Sequence, residues 1–269
     1  MTADQMLTDE MDEPHPYRQY LAHSQFNFGK LDEWKGFDKM LDASSPQLVN
    51  EYAWIWLLRN GKPSKLTVNN YNYILGDNAT AEQRREMHAY WLQLETEWLR
   101  SERSLAGVLA FCHLTNNYGF TGDWFIDNIK DLKPAPVFGW FRHCFNPSGV
   151  FINLTDERYT KHTTPHAPGS QLVFNLIGVN DNPVDVSGKT TVKLYDANGA
   201  VQYSNTVDAA INAYGKVSIP YLMTLPAAEG GYLLTAEYLE TGAQSPVISR
   251  RYIKIGNQNT VYKFHNIKF

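Results

Sequence analysis

Hydrophobic and polar positions alternate with different periods in the two halves of this chain. In the first half the clearest pattern runs through NATAEQRREMHAYWLQLETEWLRSERS. Thr80 is followed three residues on by Gln83, the arrangement of a capping box, and Met87, Tyr90, Trp91, Leu94 and Trp98 recur at spacings of three and four. That period predicts a helix over roughly 81–102 with an aromatic stripe on one face, best explained as core packing. AGVLAFCHL (106–114) follows as a short apolar run bounded by Gly107 and the polar TNN. It predicts a strand buried on both faces, as in a parallel sheet. SPQLVNEY (45–52) has the same form, so two strands joined by a long helix predict a βαβ unit. KPAPVFGWFRHCF (133–145) predicts a further helix with a proline-rich entry.

Near Pro147 the period changes. QLVFNLIGV, KTTVKLYDANGAVQYSNTV, GKVSIPYLM, GGYLLTAEYLE and SRRYIKI are alternating or β-branched runs divided by Asn-Gly, Gly-Gly and Thr-Gly turns. Strands at this spacing without intervening helices predict a β-sandwich of immunoglobulin type. DANGA (196–200) marks a tight hairpin, and KHTTPHAPGS (161–170) the first connection between strands. The expected division is therefore 1–146, α/β, and 147–269, all-β.

Composition narrows the function classes. In 269 residues, 43% hydrophobic and 19% charged residues describe a globular chain. A net charge of −4 offers no basic face for nucleic acid. No apolar run is long enough for a membrane span, and MTADQMLTDEMDEPHPY lacks the apolar core of a signal peptide. Two cysteines, Cys112 and Cys144, and the scattered His143, His162, His166 and His265 have no ligand spacing, so neither a metal nor another cofactor is expected. Aromatic residues reach 13%, which suits stacking on sugar rings as well as core packing.

One carboxylate stands out. In QLVNEYAWIWL (47–57), Glu51 lies between an apolar run and an aromatic row, where a charge is costly to bury unless it is used or paired. Taken with MDEPHPY (11–17) before it and GVLAFCHLTNNYGFTGDWFID (107–127) after it, the order of segments resembles the C-terminal part of clan A glycoside hydrolases. The likeness is to the family 2-like β-galactosidase and β-glucuronidase superfamily. It implies the end of a (β/α)8 barrel, about strands six to eight, followed by the sandwich.

The resemblance places Glu51 as nucleophile at the end of strand seven. His15 and Tyr17 would follow strand six and contact a carbohydrate substrate. His113, Asn116, Tyr118, Asp123 and Trp124 would follow strand eight, with Asn117 and Phe120 beside them and Asn50 next to Glu51. Trp124 reads either as a sugar platform or as packing, and Glu51 alternatively as a structural acid paired with Arg59. The acid/base glutamate of the family follows strand four, which has no counterpart here, unless Asp9, Glu10, Asp12 or Glu13 serves. A C-terminal fragment of a retaining enzyme is therefore expected, active in the full-length parent and inactive as this chain alone. It would pair with the missing half of the barrel or self-associate, and the resemblance implies export of the parent. The alternative is a non-catalytic carbohydrate-binding or structural module.

Overall fold

The computed structural model describes residues 30–32, 46–116, 118–160 and 163–257. They divide into two compact units, one within residues 46–142 and the other formed by residues 30–32 with those described between 143 and 257. His15, Tyr17, Asn117 and the acids at 9, 10, 12 and 13 lie outside the described residues.

The first unit is built on a parallel pair, β1 (Gln47–Tyr52) and β2 (Leu105–Ala110), joined through helices α1 (Val68–Leu75) and α2 (Ala81–Ser101). The capping box forms as the sequence indicates. Gln83 N donates to Thr80 Oγ1 at 3.1 Å, and Thr80 N donates to Gln83 Oε1 at 2.8 Å. The single apolar face does not hold: from Met87 to Ser101 every residue of α2 is buried, including His88, Glu95, Glu97 and Arg100. Polar residues among them are internally bonded, as where Gln93 Nε2 donates to Glu97 Oε1 at 2.7 Å.

The second strand is shorter and more open than expected. It ends at Ala110, its Val108 is buried, and Leu109 is 50% exposed. Among the described residues β2 has β1 as its strand neighbour, and of its six positions Val108 alone is buried, so it is not the strand buried on both faces that was expected. The described residues thus hold two parallel strands where an arc of three was expected. α1 also went unread, because VNNYNYIL carries neither a cap signal nor a long period. The helix expected at 133–145 is α3 (Pro136–Cys144).

The second unit is a β-sandwich. One sheet has the order β3-β4-β7 and the other β6-β5-β8-β9, with neighbours antiparallel. The strands are β3 (Ser148–Asn153), β4 (Gln171–Asn180), β5 (Val186–Tyr195), β6 (Val201–Ile211), β7 (Lys216–Thr224), β8 (Gly230–Glu240) and β9 (Val247–Ile255). Alternation drives the layering. Leu172, Phe174 and Leu176 of β4 meet Val192 and Leu194 of β5 and Leu234 and Ala236 of β8 in one core. The DANGA hairpin closes through Asp196 N to Ala200 O at 3.0 Å, with Gly199 at φ +83 supplying the left-handed position. β3 was not foreseen, because all six of its residues are buried and SGVFIN shows no alternation. Its end is held by Leu31 N, which donates to Asn153 Oδ1 at 2.7 Å.

Candidate functional site

Both strands of the parallel pair deliver their carboxyl ends to one edge, where loops 53–67 and 111–135 meet. After Tyr52 the chain turns at Ala53 (φ +73) into Trp54-Ile55-Trp56, and α1 pins this row. Tyr71 OH donates to Ile55 O at 2.8 Å and Thr67 Oγ1 to Trp56 O at 2.7 Å. Trp56 Nε1 then reaches across to Phe111 O, at 2.6 Å, just past the end of β2. The two tryptophan rings lie 4.7 Å apart between centroids, tilted at 45°, and are buried.

The second loop folds back onto the first. Asp123 N donates to Leu57 O at 2.8 Å, and Trp124 N to His113 O at 3.0 Å. Gly122 passes so close that a Cβ there would lie 2.7 Å from Leu57 N and from Trp56 Cβ. The junction is locked by Arg59. Its Nη2 lies 2.8 Å from Asp123 Oδ2, its Nε donates to the same oxygen at 2.9 Å, and Nη2 also donates to Thr115 O at 2.7 Å. Asp123 accepts Thr115 N at 3.2 Å and Phe125 N at 2.9 Å as well. Arg59, offered by the sequence as a partner for Glu51, is thus the ion-pair partner of Asp123.

The candidate residues separate into two groups. Asp123 and Trp124 are interior. The carboxylate of Asp123 is fully buried and committed to Arg59 and two backbone amides. The Trp124 ring is covered by Phe141 at 4.8 Å, Phe138 at 6.2 Å and His113 at 5.8 Å. Trp124 is 6% exposed, and stacking on a sugar needs an open ring face. His113, Asn116 and Tyr118 are exposed, Tyr118 at 79%. Asn116 Oδ1 accepts Tyr118 N at 3.1 Å and so shapes the loop tip. Beside it, Lys65 Nζ lies 4.7 Å from the centroid of the exposed Phe120 ring. Asn50 and Glu51 are half-buried in β1.

Cys112, which the sequence marks only as lacking ligand spacing, also lies at this edge. It is half-buried between the strand ends and is a free thiol, and Sγ donates to Gly122 O at 3.6 Å. Burial pushes its thiol up to about 11, and the charges of Asp123 and Glu51 push the same way while the Thr121 hydroxyl pulls it down. It is therefore a neutral thiol near pH 7, and the effect places Glu51 and Asp123 within electrostatic reach of one group. The available signal was position: Cys112 directly precedes His113 near the carboxyl end of the predicted strand.

No family model and no curated protein matches the chain. Among solved structures, three of those similar to it are a CARDB domain from Pyrococcus furiosus solved in complex with di-metal ions, a cycloisomaltooligosaccharide glucanotransferase from Paenibacillus sp., and a β-glucuronidase from glycoside hydrolase family 2. Their identities are 15, 12 and 12%, with TM-scores of 0.28, 0.29 and 0.30. The alignments cover 40, 42 and 40% of this chain, and 87% of the CARDB domain but 14% and 11% of the two enzymes. The chain thus spans a small part of either enzyme. Among the described residues, no helix is long and apolar enough to cross a membrane.

The arrangement sets out what the site can do. One half-buried carboxylate, Glu51, stands at a strand end beside an uncharged thiol, and exposed His113, Asn116 and Tyr118 ring the second loop. A single carboxylate on a rigid strand can serve as a nucleophile or hold a polar ligand. Acid/base work of the two-carboxyl kind needs a second one 5–9.5 Å away, and the nearby Asp123 is tied up by Arg59.

Proposed function

We propose that this chain is the C-terminal part of a retaining clan A glycoside hydrolase, with Glu51 as nucleophile. The acid/base would come from outside the described residues. The observation that carries the reading is positional. Glu51 sits near the carboxyl end of β1 in a parallel strand-helix-strand unit, the end at which barrel enzymes carry their chemistry. His113, Asn116 and Tyr118 follow the neighbouring strand at the same edge, where Asn50, His15 and Tyr17 would add polar contacts to a sugar. The strand orders β3-β4-β7 and β6-β5-β8-β9 support an immunoglobulin-like sandwich following the barrel end in sequence.

In this mechanism Glu51 attacks the anomeric carbon and forms a glycosyl-enzyme ester, which water then hydrolyses. With a dinitrophenolate leaving group the first step needs no general acid, so aryl glycosides probe Glu51 alone. In the full-length parent, Glu51→Gln should abolish dinitrophenol release while leaving tryptophan fluorescence and melting unchanged. Turnover that survives the substitution would sink the assignment.

A second reading rests on a different observation. Tyr118 and Phe120 are exposed while Asp123 and Trp124 are interior, which suits a surface that binds carbohydrate without cleaving it. Saturable binding of oligosaccharides by the Glu51→Gln variant, with no hydrolysis by the parent sequence, would select this reading.

A further inference from the structure

The sandwich carries an edge that its own described residues leave open. β6 spans eleven residues at the margin of the four-stranded sheet and pairs with β5 alone among them. Seven of its eleven positions are exposed. An unpaired strand edge is a template for another strand, and proteins normally blunt it with proline, lysine, bulges or cover. The other margins are protected in these ways. β7 has Pro220 at its centre and Lys216 at its start, β3 is wholly buried, and β9 is buried over most of its length with His166 bridging Ile255. β6, VQYSNTVDAAI, has no proline, no lysine and one charge, Asp208, and its one register irregularity falls at Gln202, at the start of the strand and away from Thr206.

We propose that β6 is a docking edge for a second copy of this chain, the two strands pairing antiparallel about a two-fold axis through Thr206. The strand is self-complementary about that residue. On the solvent face Thr206 meets its own copy, extending the hydroxyl contact that Thr191 and Thr206 already make at 3.0 Å. Ser204 falls opposite the partner's Asp208, and Gln202 opposite the partner's Ala210.

Charge follows the same symmetry. Lys189 holds Asp208 at 2.9 Å, and Lys193 is the cross-strand neighbour of Ser204. The row across the junction would read Lys193, Ser204, the partner's Asp208, the partner's Lys189, so the acid lies between cations and no like charges face each other. An isologous contact of this kind closes after two copies and does not propagate. The other side of β6 is already used: Tyr203 OH lies 3.1 Å from Tyr221 OH of β7 in the sandwich interior.

The axis gives the test a sharp geometry. Facing residues of an antiparallel pair lie about 4.5–5.5 Å apart between Cα atoms, within the span a disulfide bridges. In the full chain with Cys112 and Cys144 replaced by alanine, Thr206→Cys should convert to a disulfide-linked dimer under mild oxidation. Ser204→Cys, which would face the partner's Asp208, should not. By sedimentation the unmodified chain should run at twice 30.7 kDa at micromolar concentrations, and Thr206→Lys, which sets two ammonium groups head-on at the axis, should run as monomer with unchanged melting. A monomeric parent, a dimer indifferent to Thr206→Lys, or equal cross-linking from both cysteine positions would each overturn the proposal.

Discussion

Breaking the Arg59–Asp123 pair should loosen the whole edge that presents Glu51. The carboxylate has no solvent exposure and Arg59 little, with N···O contacts of 2.8 and 2.9 Å. Removing one partner of a buried pair strands a charge, at a cost of about 3–5 kcal/mol. Arg59→Met keeps much of the aliphatic stem, and two backbone amides still hold Asp123, so the lower end, about 3 kcal/mol, is expected. Asp123→Asn should cost about 2–3 kcal/mol, because Arg59 keeps Thr115 O as an acceptor. The double variant should fall short of the sum by about 2 kcal/mol, the signature of a shared interaction. The assay is denaturant unfolding followed by tryptophan fluorescence, since all seven tryptophans lie before residue 142, in the first unit. Additive single effects, or a loss under 1 kcal/mol for Arg59→Met, would refute the reasoning.

Three other outcomes follow from the same structure. His88 is buried in α2 and desolvation lowers it to about 4. The folded state therefore resists its protonation, and first-unit stability should be full above pH 6.5 and fall by about 3 kcal/mol as pH drops from 6.5 towards 4; His88→Gln should flatten that slope. His166 shifts the opposite way, raised chiefly by its 2.7 Å hydrogen bond to Glu157. Its contribution to the sandwich should be full below pH 6.5 and lost as pH rises through its elevated value, which tyrosine circular dichroism with His166→Gln would detect. Gly122→Ala should cost the first unit about 1–3 kcal/mol through overpacking against Leu57 and Trp56, again read by tryptophan fluorescence.

What the sequence disclosed depended on how each element is stabilised. α2 was legible because its cap is local chemistry between Thr80 and Gln83 and its period is long. The strands β4 to β9 were legible through alternation and through turns such as DANGA, whose residues set the backbone directly. β3 was not, since a strand buried on both faces has no alternation to read. The polar residues His88, Glu95 and Glu97 gave no sign of burial, because what covers them comes from distant parts of the chain.

At the site, Glu51 stood out as a charge in an apolar context and does lie near a strand end. The fates of Asp123 and Trp124 were hidden in tertiary contacts: Arg59 is 64 positions away from Asp123, and Phe141 comes from a separate helix. Cys112 escaped notice for the same reason. Its neutral state depends on burial and on Glu51 and Asp123, neither of which is adjacent to it in the chain.

The most direct test of the account is covalent capture at Glu51. A panel of dinitrophenyl 2-deoxy-2-fluoroglycosides slows the hydrolysis of the glycosyl-enzyme ester more than its formation, so the sugar remains on the nucleophile. A single added fluorosugar is expected, mapped by peptide mass spectrometry to the segment containing Glu51 and absent from Glu51→Gln. Labelling at any other carboxylate, or equal labelling of Glu51→Gln, would contradict it.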